Sequence, residues 1–374
     1  MKYPIFSFFS GSGFLDLGFE NSGFNIVFAN EIHPPFMKSY KHSRKILQKG
    51  FPLFGYHEAS IKELLEISTL TAFKKELLQS GNEIFGFIGG PPCPDFSVGG
   101  KNLGRDGDKG QLSSVYIDLI CQEQPTFFLF ENVKGLWRTK KHREFYDEMK
   151  QKLHHNGYLT TERLINSLEY GVPQNRERII LVGFRKELLE KLGYKITPGF
   201  SLEEVFQWEK HIKYPMKKIL NIDWPNTSKF KEDSKMKMPK DIIEELTVEY
   251  WFNQNMVKSH QNANQFFKPR AGLAKFQMIE EGDDSKKSYK RLHRWRFSPT
   301  AAYGNNEVHL HPYKARRLSV AEALAIQSLP REFELPVDIS LTNAFKTIGN
   351  GVPYLASLGI ANTIYEFLNT KNYM

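Results

Sequence analysis

Cysteine is scarce: Cys93 and Cys121 are the only two in 374 residues. That excludes a disulfide scaffold. It points to a reducing compartment and leaves each thiol free for chemistry. Long apolar runs are missing as well, and none reaches the ~20 residues that a membrane-crossing helix needs. The opening MKYPIFSFFSGSGF has one lysine and a short apolar run but no long apolar core before a cleavage site, so it makes a poor signal peptide. There is no internal repeat and no long low-complexity tract. Negative charge is in deficit: 51 Lys and Arg face 42 Asp and Glu, a formal net charge of +9. The expectation is a cytoplasmic, basic protein with no membrane partner, suited to a polyanion.

Apolar residues make up 40% of the chain, enough for a substantial core. In the first half, short apolar runs alternate with helical patterns. IFSFF (5–9), FNIVFANE (24–31), IFGFIGG (84–90), TFFLFENV (126–133) and RIILVGF (178–184) read as strands. Helical patterns cover LDLGFENSG, about 34–48, 61–78, 111–122 and 143–157. This alternation predicts an α/β fold, a mostly parallel sheet with helices on both faces. In such sheets ligands sit beyond the carboxyl ends of the strands. From about 186 the alternation stops, and prolines, Lys-rich stretches and a basic-aromatic run, KSYKRLHRWRF (287–297), take over. Regular structure returns with RRLSVAEALAIQSLP, where Ser319 and Glu322 form a capping box. A last helix opens near Pro353. Three segments are expected: 1–185 catalytic, 186–312 a smaller irregular unit, and 313–374 returning to the first.

Four stretches carry groups suited to chemistry. Gly11 and Gly13 lie between a strand and a helix, where backbone approaches a ligand closely. Glu31 ends the second strand, 18 residues after Gly13, and suits ribose hydroxyls. Cys93 stands in GGPPCPDFS after the third strand. Prolines on both sides suit a stiff loop that aims one side chain, whereas Cys121 lies among apolar helix neighbours and reads as packing. Glu131 ends a strand of Phe and Leu, and an acid beside such a wall has a raised pKa, as a proton donor needs. Arg176 and Arg178 alternate before a strand, so both point to one side, as binding a phosphate or a carbonyl oxygen requires. Each feature alone also fits a bland role: a tight turn, a buried thiol, a held carboxylate, a solvated strand edge.

Together these stretches resemble the C5-cytosine DNA methyltransferases, with six motifs in the family's order over most of the chain: FFSGSGFLDLGFENSGF, GGPPCPDFSVGGKN, FENV, YGVPQNRERIILVG, RRLSVAEALAIQSLP and IGNGVP. The resemblance implies a Rossmann-like methyltransferase fold with a target-recognition domain at 186–312. It implies S-adenosylmethionine as methyl donor, with S-adenosylhomocysteine as product, and double-stranded DNA as substrate. It implies that Cys93 adds to C6 of a flipped cytosine. Glu131 would hold N3 and N4, Arg176 would contact the base carbonyl or the Cys93 loop, and Arg178 would support that loop. The loop from Cys93 to about Lys109 would close over the base. The cofactor would be held by Phe9, Ser10, Gly11, Gly13, Phe14 and Leu15, by Glu31 and Ile32, by Ser60 and Ile61, by Pro91, and by Asn350, Gly351 and Val352. No metal is expected. A monomer is expected, as the modification half of a bacterial restriction-modification system whose endonuclease acts independently.

Departures from the family's pattern are local. Pro94 stands where Gln usually follows the nucleophile, Phe14 replaces a glycine, Ser60 stands for an aspartate, and Ile32 for a ring that stacks on adenine. KSYKRLHRWRF reads as a segment touching the DNA backbone, or as a plain solvated face. Other readings are an RNA cytosine methyltransferase, an amino-methyltransferase (disfavoured because GGPPCP has a cysteine and no aromatic), and a DNA-binding protein that keeps the fold without catalysis.

Overall fold

The computed structural model describes residues 2–66, 68–92, 110–269, 273–286, 288–301, 303 and 308–370. Cys93, Pro94 and the expected closing loop to Lys109 lie outside the described residues.

Seven strands form one sheet in the order β3-β2-β1-β4-β5-β7-β6. They are β1 (Pro4–Phe8), β2 (Asn25–Asn30), β3 (Tyr56–His57), β4 (Gly86–Gly89), β5 (Phe127–Val133), β6 (Tyr158–Asn166) and β7 (Glu177–Arg185). Neighbours pair in parallel from β3 to β5, and β7 runs antiparallel to both β5 and β6. The fold is thus the mostly parallel α/β sheet that the alternation predicts.

Period-2 alternation builds the two faces. Phe127 and Leu129 of β5 enter one core with Ile5, Phe24 and Val182. Phe128 and Phe130 enter the other with Phe6, Phe8 and Phe87. Helices Phe14–Asn21 and Tyr354–Asn369 cover the first face. Gly110–Glu123 and Lys140–His155 cover the second. The helical pattern at 61–78 is two helices, Glu63–Glu66 and Thr69–Gln79. Cys121 is half-buried and free, and burial pushes its thiol up to about 11, which leaves it protonated and inert.

Two strands of this sheet escaped the sequence reading. β3 has two residues, and β6, YLTTERLIN, is an edge strand with a mixed burial pattern. Its polar side chains on the half-open face hide the period.

Between 186 and 312, regular structure among the described residues is short: helices Lys186–Lys191, Leu202–Val205, Met216–Leu220, Val248–Gln254 and Leu273–Met278, a 3-10 turn Glu244–Leu246, and one two-residue parallel pair, β8 (Lys290–Arg291) with β9 (His309–Leu310). Within KSYKRLHRWRF, two of the arginines expected to face the DNA backbone or solvent are buried instead. Arg291 is fully buried, and its guanidinium donates to the carbonyls of Ile279 (2.8 Å), Lys314 (2.9 Å), His311 and Phe276. Arg294 is buried on the Glu281 carboxylate, with two donors at 2.8 Å, and on Ser234. Trp295 donates to Met236 and Arg296 to Gly282. With few ladders, this region leaves carbonyls that need donors, and arginine supplies several from one side chain. The middle of the stretch, from Arg291 to Arg294, is an internal spine, while Lys287 lies outside the described residues and Tyr289, Lys290 and Arg296 are half-buried.

The capping box of Ser319 and Glu322 forms as expected, at helix Val320–Ile326. The chain then returns through helix Leu341–Asn350 to the sheet.

Candidate active site

The carboxyl edge of the sheet gathers the expected residues from five elements. β1 ends at Phe8, and Phe9 turns the chain with φ 53°. Gly13 has φ 81°, which a Cβ would resist, and Phe14 opens the helix. Glu31 follows β2 and is buried. Its Oε2 accepts from the Gly11 amide at 3.0 Å and its Oε1 from the His33 amide at 2.8 Å. Burial raises its pKa, opposed by those backbone amides and by Lys346. The cradle is thereby fixed, and each oxygen keeps a lone pair for a hydroxyl donor.

The returning C-terminal segment closes this cradle. Ser12 Oγ and Thr347 Oγ1 lie 2.7 Å apart. Phe14, in place of the family's glycine, turns its ring away onto Phe333 and Gly351. A Cβ on Gly351 would sit 2.2 Å from the Phe14 ring, so the bulk at one position is matched by its absence at the other. Asn350 is exposed beside this contact, and Val352 is buried in the sheet-face core.

The other cofactor expectations divide. Ile32 is 62% exposed, an apolar side chain left at the rim next to Glu31. Ser10 is bound to the Asn30 carbonyl at 3.1 Å. Phe9 is half-buried, edge-on to Tyr116. Ser60 is half-buried, its hydroxyl accepting from the Lys62 amide, in a loop that Asn30 holds through the carbonyls of His57 and Ala59. Leu15 and Ile61 are different: both side chains are buried in the two cores, and the Leu15 carbonyl is taken by Ser357. They shape the turn from beneath and present no side chain to a ligand.

β4 stops at Gly89, paired with Phe130, so β5 overhangs by Glu131. Glu131 pairs with Ile180 of β7, and Arg178 lies two residues along β7 on the same face. That register alone brings the two together. Arg178 Nε meets Glu131 Oε1 at 3.0 Å, both largely buried. Burial raises the Glu131 pKa, while Arg178 and then Arg176 pull it back. On its other side Glu131 crowds Gly90, where a Cβ would come within 2.7 Å of Oε2. Gly90 and the buried Pro91 lead straight to Cys93.

Arg176 does something else. It is fully buried, with Nη1 donating to the Ala301 carbonyl at 3.2 Å and Nη2 to the Gly349 carbonyl at 3.0 Å. Burial, then the charge of Arg178, weaken its hold on its proton, and Glu131 opposes this. Its neighbour Gln174 accepts from the Ala301 amide and donates to Gln327, which donates to the Ile348 carbonyl. This tether joins the start of β7, the end of the irregular region and the last turn of helix Leu341–Asn350. Gln327 and Thr347 went unnoticed in the sequence because their partners are far along the chain.

The chain matches C-5 cytosine-specific DNA methylase over residues 3–366. It belongs to that family. The Type II methyltransferase M.NmeDI of Neisseria meningitidis serogroup C is 58% identical over 98% of this chain and 84% of its own length. M.FnuDI, a Type II methyltransferase of Fusobacterium nucleatum, is 30% identical over 98% of this chain and 95% of its own. A DNA modification methyltransferase candidate encoded within an Escherichia coli prophage has the same fold, with a TM-score of 0.66 at 23% identity, covering 98% of this chain and 100% of its own. The family and fold imply S-adenosylmethionine as methyl donor. The cradle fits it: a buried Glu31 with lone pairs free for vicinal hydroxyls, an exposed Ile32 for a ring face, and a Gly-rich turn open to close approach. Among the described residues no cluster of metal-ligating side chains is present, and no helix is long and apolar enough to cross a membrane.

Proposed function

We propose that this methylase acts on C5 of a cytosine flipped out of a short, specific sequence in double-stranded DNA, through a covalent bond from Cys93 to C6. The observation that carries the reading is the buried Glu131 carboxyl. It is held by Arg178 and packed against the glycine three residues before Cys93.

The residues have separable tasks. When bound, the cofactor supplies an electrophilic methyl on a sulfonium. Glu31, Ile32, the turn from Phe9 to Phe14, Ser60, Pro91 and the segment from Asn350 to Val352 would hold it. Cytosine C5 is a poor nucleophile. Addition of the Cys93 thiolate at C6 moves electron density to C5, and Glu131 gives its proton to N3 as that bond forms. Burial shifts the pKa of this carboxyl upward, the direction a proton donor needs. Arg178, paired with Glu131, would support the Cys93 loop and hold that carboxyl in place. Arg176 positions the site through Ala301 and Gly349 rather than touching the base. Once C5 has taken the methyl, a base removes the C5 proton, the C6–S bond breaks to release the Cys93 thiolate, and N3 returns its proton to Glu131, which restores the ring and the enzyme.

Residues 186–312 form the target-recognition domain, between a catalytic segment at 1–185 and its completion at 313–374. The Type II relatives favour a role as the modification partner of an independently acting endonuclease, and the enzyme is expected to work as a monomer in the cytoplasm. Cys93→Ala is expected to abolish methyl transfer and to leave DNA binding intact. Turnover in that variant would exclude the covalent route. Exchanging 186–312 for a relative's segment is expected to change the sequence modified and not the chemistry.

A further inference from the structure

Away from the methylation cleft, a hollow of about 700 Å³ opens where the helix Pro34–Ile46 ends and the chain turns toward β3. Lys45 lies eleven residues beyond Pro34, ~16 Å along the axis from the helix end that follows Glu31 and Ile32. The hollow is lined by Lys41, Arg44, Lys45, Lys49, Phe51 and Tyr56. Its size falls within the range of small-ligand sites.

Two features mark it as more than a basic surface. Four cations stand there against three carboxylates: Lys41 pairs with Glu58, Arg44 with Glu20, and the buried Asp16 also acts on Arg44, while Lys49 donates to Asn21. Lys45 has no side-chain partner among the described residues and is exposed. Arg44 is almost wholly buried, yet its Nε and Nη1 find no hydrogen-bond acceptor among the described residues. A buried guanidinium with idle donors is costly unless an acceptor arrives. Phe51, moreover, is 75% exposed, and its ring is fixed edge-on to Tyr56 at 4.9 Å. An open, held aromatic ring beside cations suits a flat heterocycle that carries phosphate.

We propose that this hollow is a second site, which takes a phosphorylated nucleoside: phosphate on Lys45 and Lys49 with Arg44 behind, and the base on Phe51. Arg44 also donates to the Gly13 carbonyl of the cofactor turn, so it is not the residue to replace. The test is calorimetric titration of the full-length enzyme with GTP, with S-adenosylhomocysteine saturating the cofactor cradle and DNA absent. Guanosine and pyrophosphate serve as half-ligands.

GTP is expected to bind more tightly than either half. Lys45→Glu is expected to weaken it tenfold or more. Phe51→Ala should weaken GTP several-fold and leave pyrophosphate unchanged. Both side chains are exposed and lie outside the methylation site, so thermal melting and basal methyl transfer serve as controls for folding. An eight-residue oligothymidylate, titrated into wild type and Lys45→Glu, separates the sources. Binding that depends on Lys45 for the strand and not for GTP assigns the site to a nucleic-acid strand, and the reverse assigns it to a free nucleotide. If neither probe binds, or both bind the Lys45→Glu protein as they bind wild type, the proposal is overturned.

Discussion

From Gly86 opposite Phe127 to Gly89 opposite Phe130, each strand in the sheet finds its backbone partners in the next strand. Between 276 and 314 the same need is met by one side chain, as Arg291 serves the carbonyls of Ile279, Lys314, His311 and Phe276. The two regions therefore differ in what a side chain is free to do. Where ladders satisfy the backbone, the overhanging ends of strands can devote Glu131 and Arg178 to chemistry. Where ladders are scarce, even strongly basic residues are consumed internally, and surface charge must come from elsewhere. Basic composition locates the irregular region's partner class but not the residues that touch it.

The contrast can be broken at four points. The largest effect is expected at Glu131. Glu131→Gln should lower kcat by ~10²–10⁴-fold, the usual scale of a lost proton donor. The thermal midpoint should fall little, because glutamine keeps an oxygen for Arg178 to donate to and strand pairing does not use the side chain. A variant that instead unfolds would show Glu131 to be a structural ion-pair member.

At the matched site in the other region the outcome should invert. Arg291→Met leaves four carbonyls without their donor. It should cost about 3–5 kcal/mol, with proteolytic cleavage concentrated between 186 and 312. Uniform loss of protection across the sheet would contradict the division.

Acid should separate the halves as well. Burial pushes His309 and His311 down to about 3, and His293 to about 4, from 6.5. Unfolded, these rings take protons near 6.5, while folded they resist until much lower pH. Their stabilisation is complete above about pH 6.5 and is lost as pH falls toward those lower values, about 2 kcal/mol for each of His309 and His311 by pH 5. In the sheet half the buried carboxyls of Asp16, Glu31 and Glu131 shift the other way, raised first by burial, so protonation favours the fold there. Hydrogen exchange between pH 7 and 5 should therefore quicken first in 186–312. Exchange that rises first in β1, β4 and β5 would refute this. The smallest effect is Ser319→Ala, which removes a cap and should cost about 1 kcal/mol by denaturant titration.

Legibility followed the same line. Strands β1, β2, β4, β5 and β7 were readable because both faces are buried and apolar runs announce them. β6, at the sheet edge with polar residues on its open face, was not. Glu31, Gly13 and Glu131 were readable because strand ends and turns locate them without tertiary knowledge. The burial of Arg176 was not readable, since its partners are the carbonyls of Ala301 and Gly349, more than a hundred residues away. KSYKRLHRWRF misled for a related reason. Composition reports charge, and only packing reports whether that charge faces water or a carbonyl.

The central claim, that Cys93 and Glu131 methylate cytosine at C5 in one DNA sequence, is tested most directly by single-base bisulfite sequencing. The DNA would come from cells expressing wild type, Cys93→Ala or Glu131→Gln. The account predicts fully protected cytosines at one position of one short sequence with wild type, none with Cys93→Ala, and at most sparse protection with Glu131→Gln. Protection that persists in Cys93→Ala, or none with wild type, would contradict it.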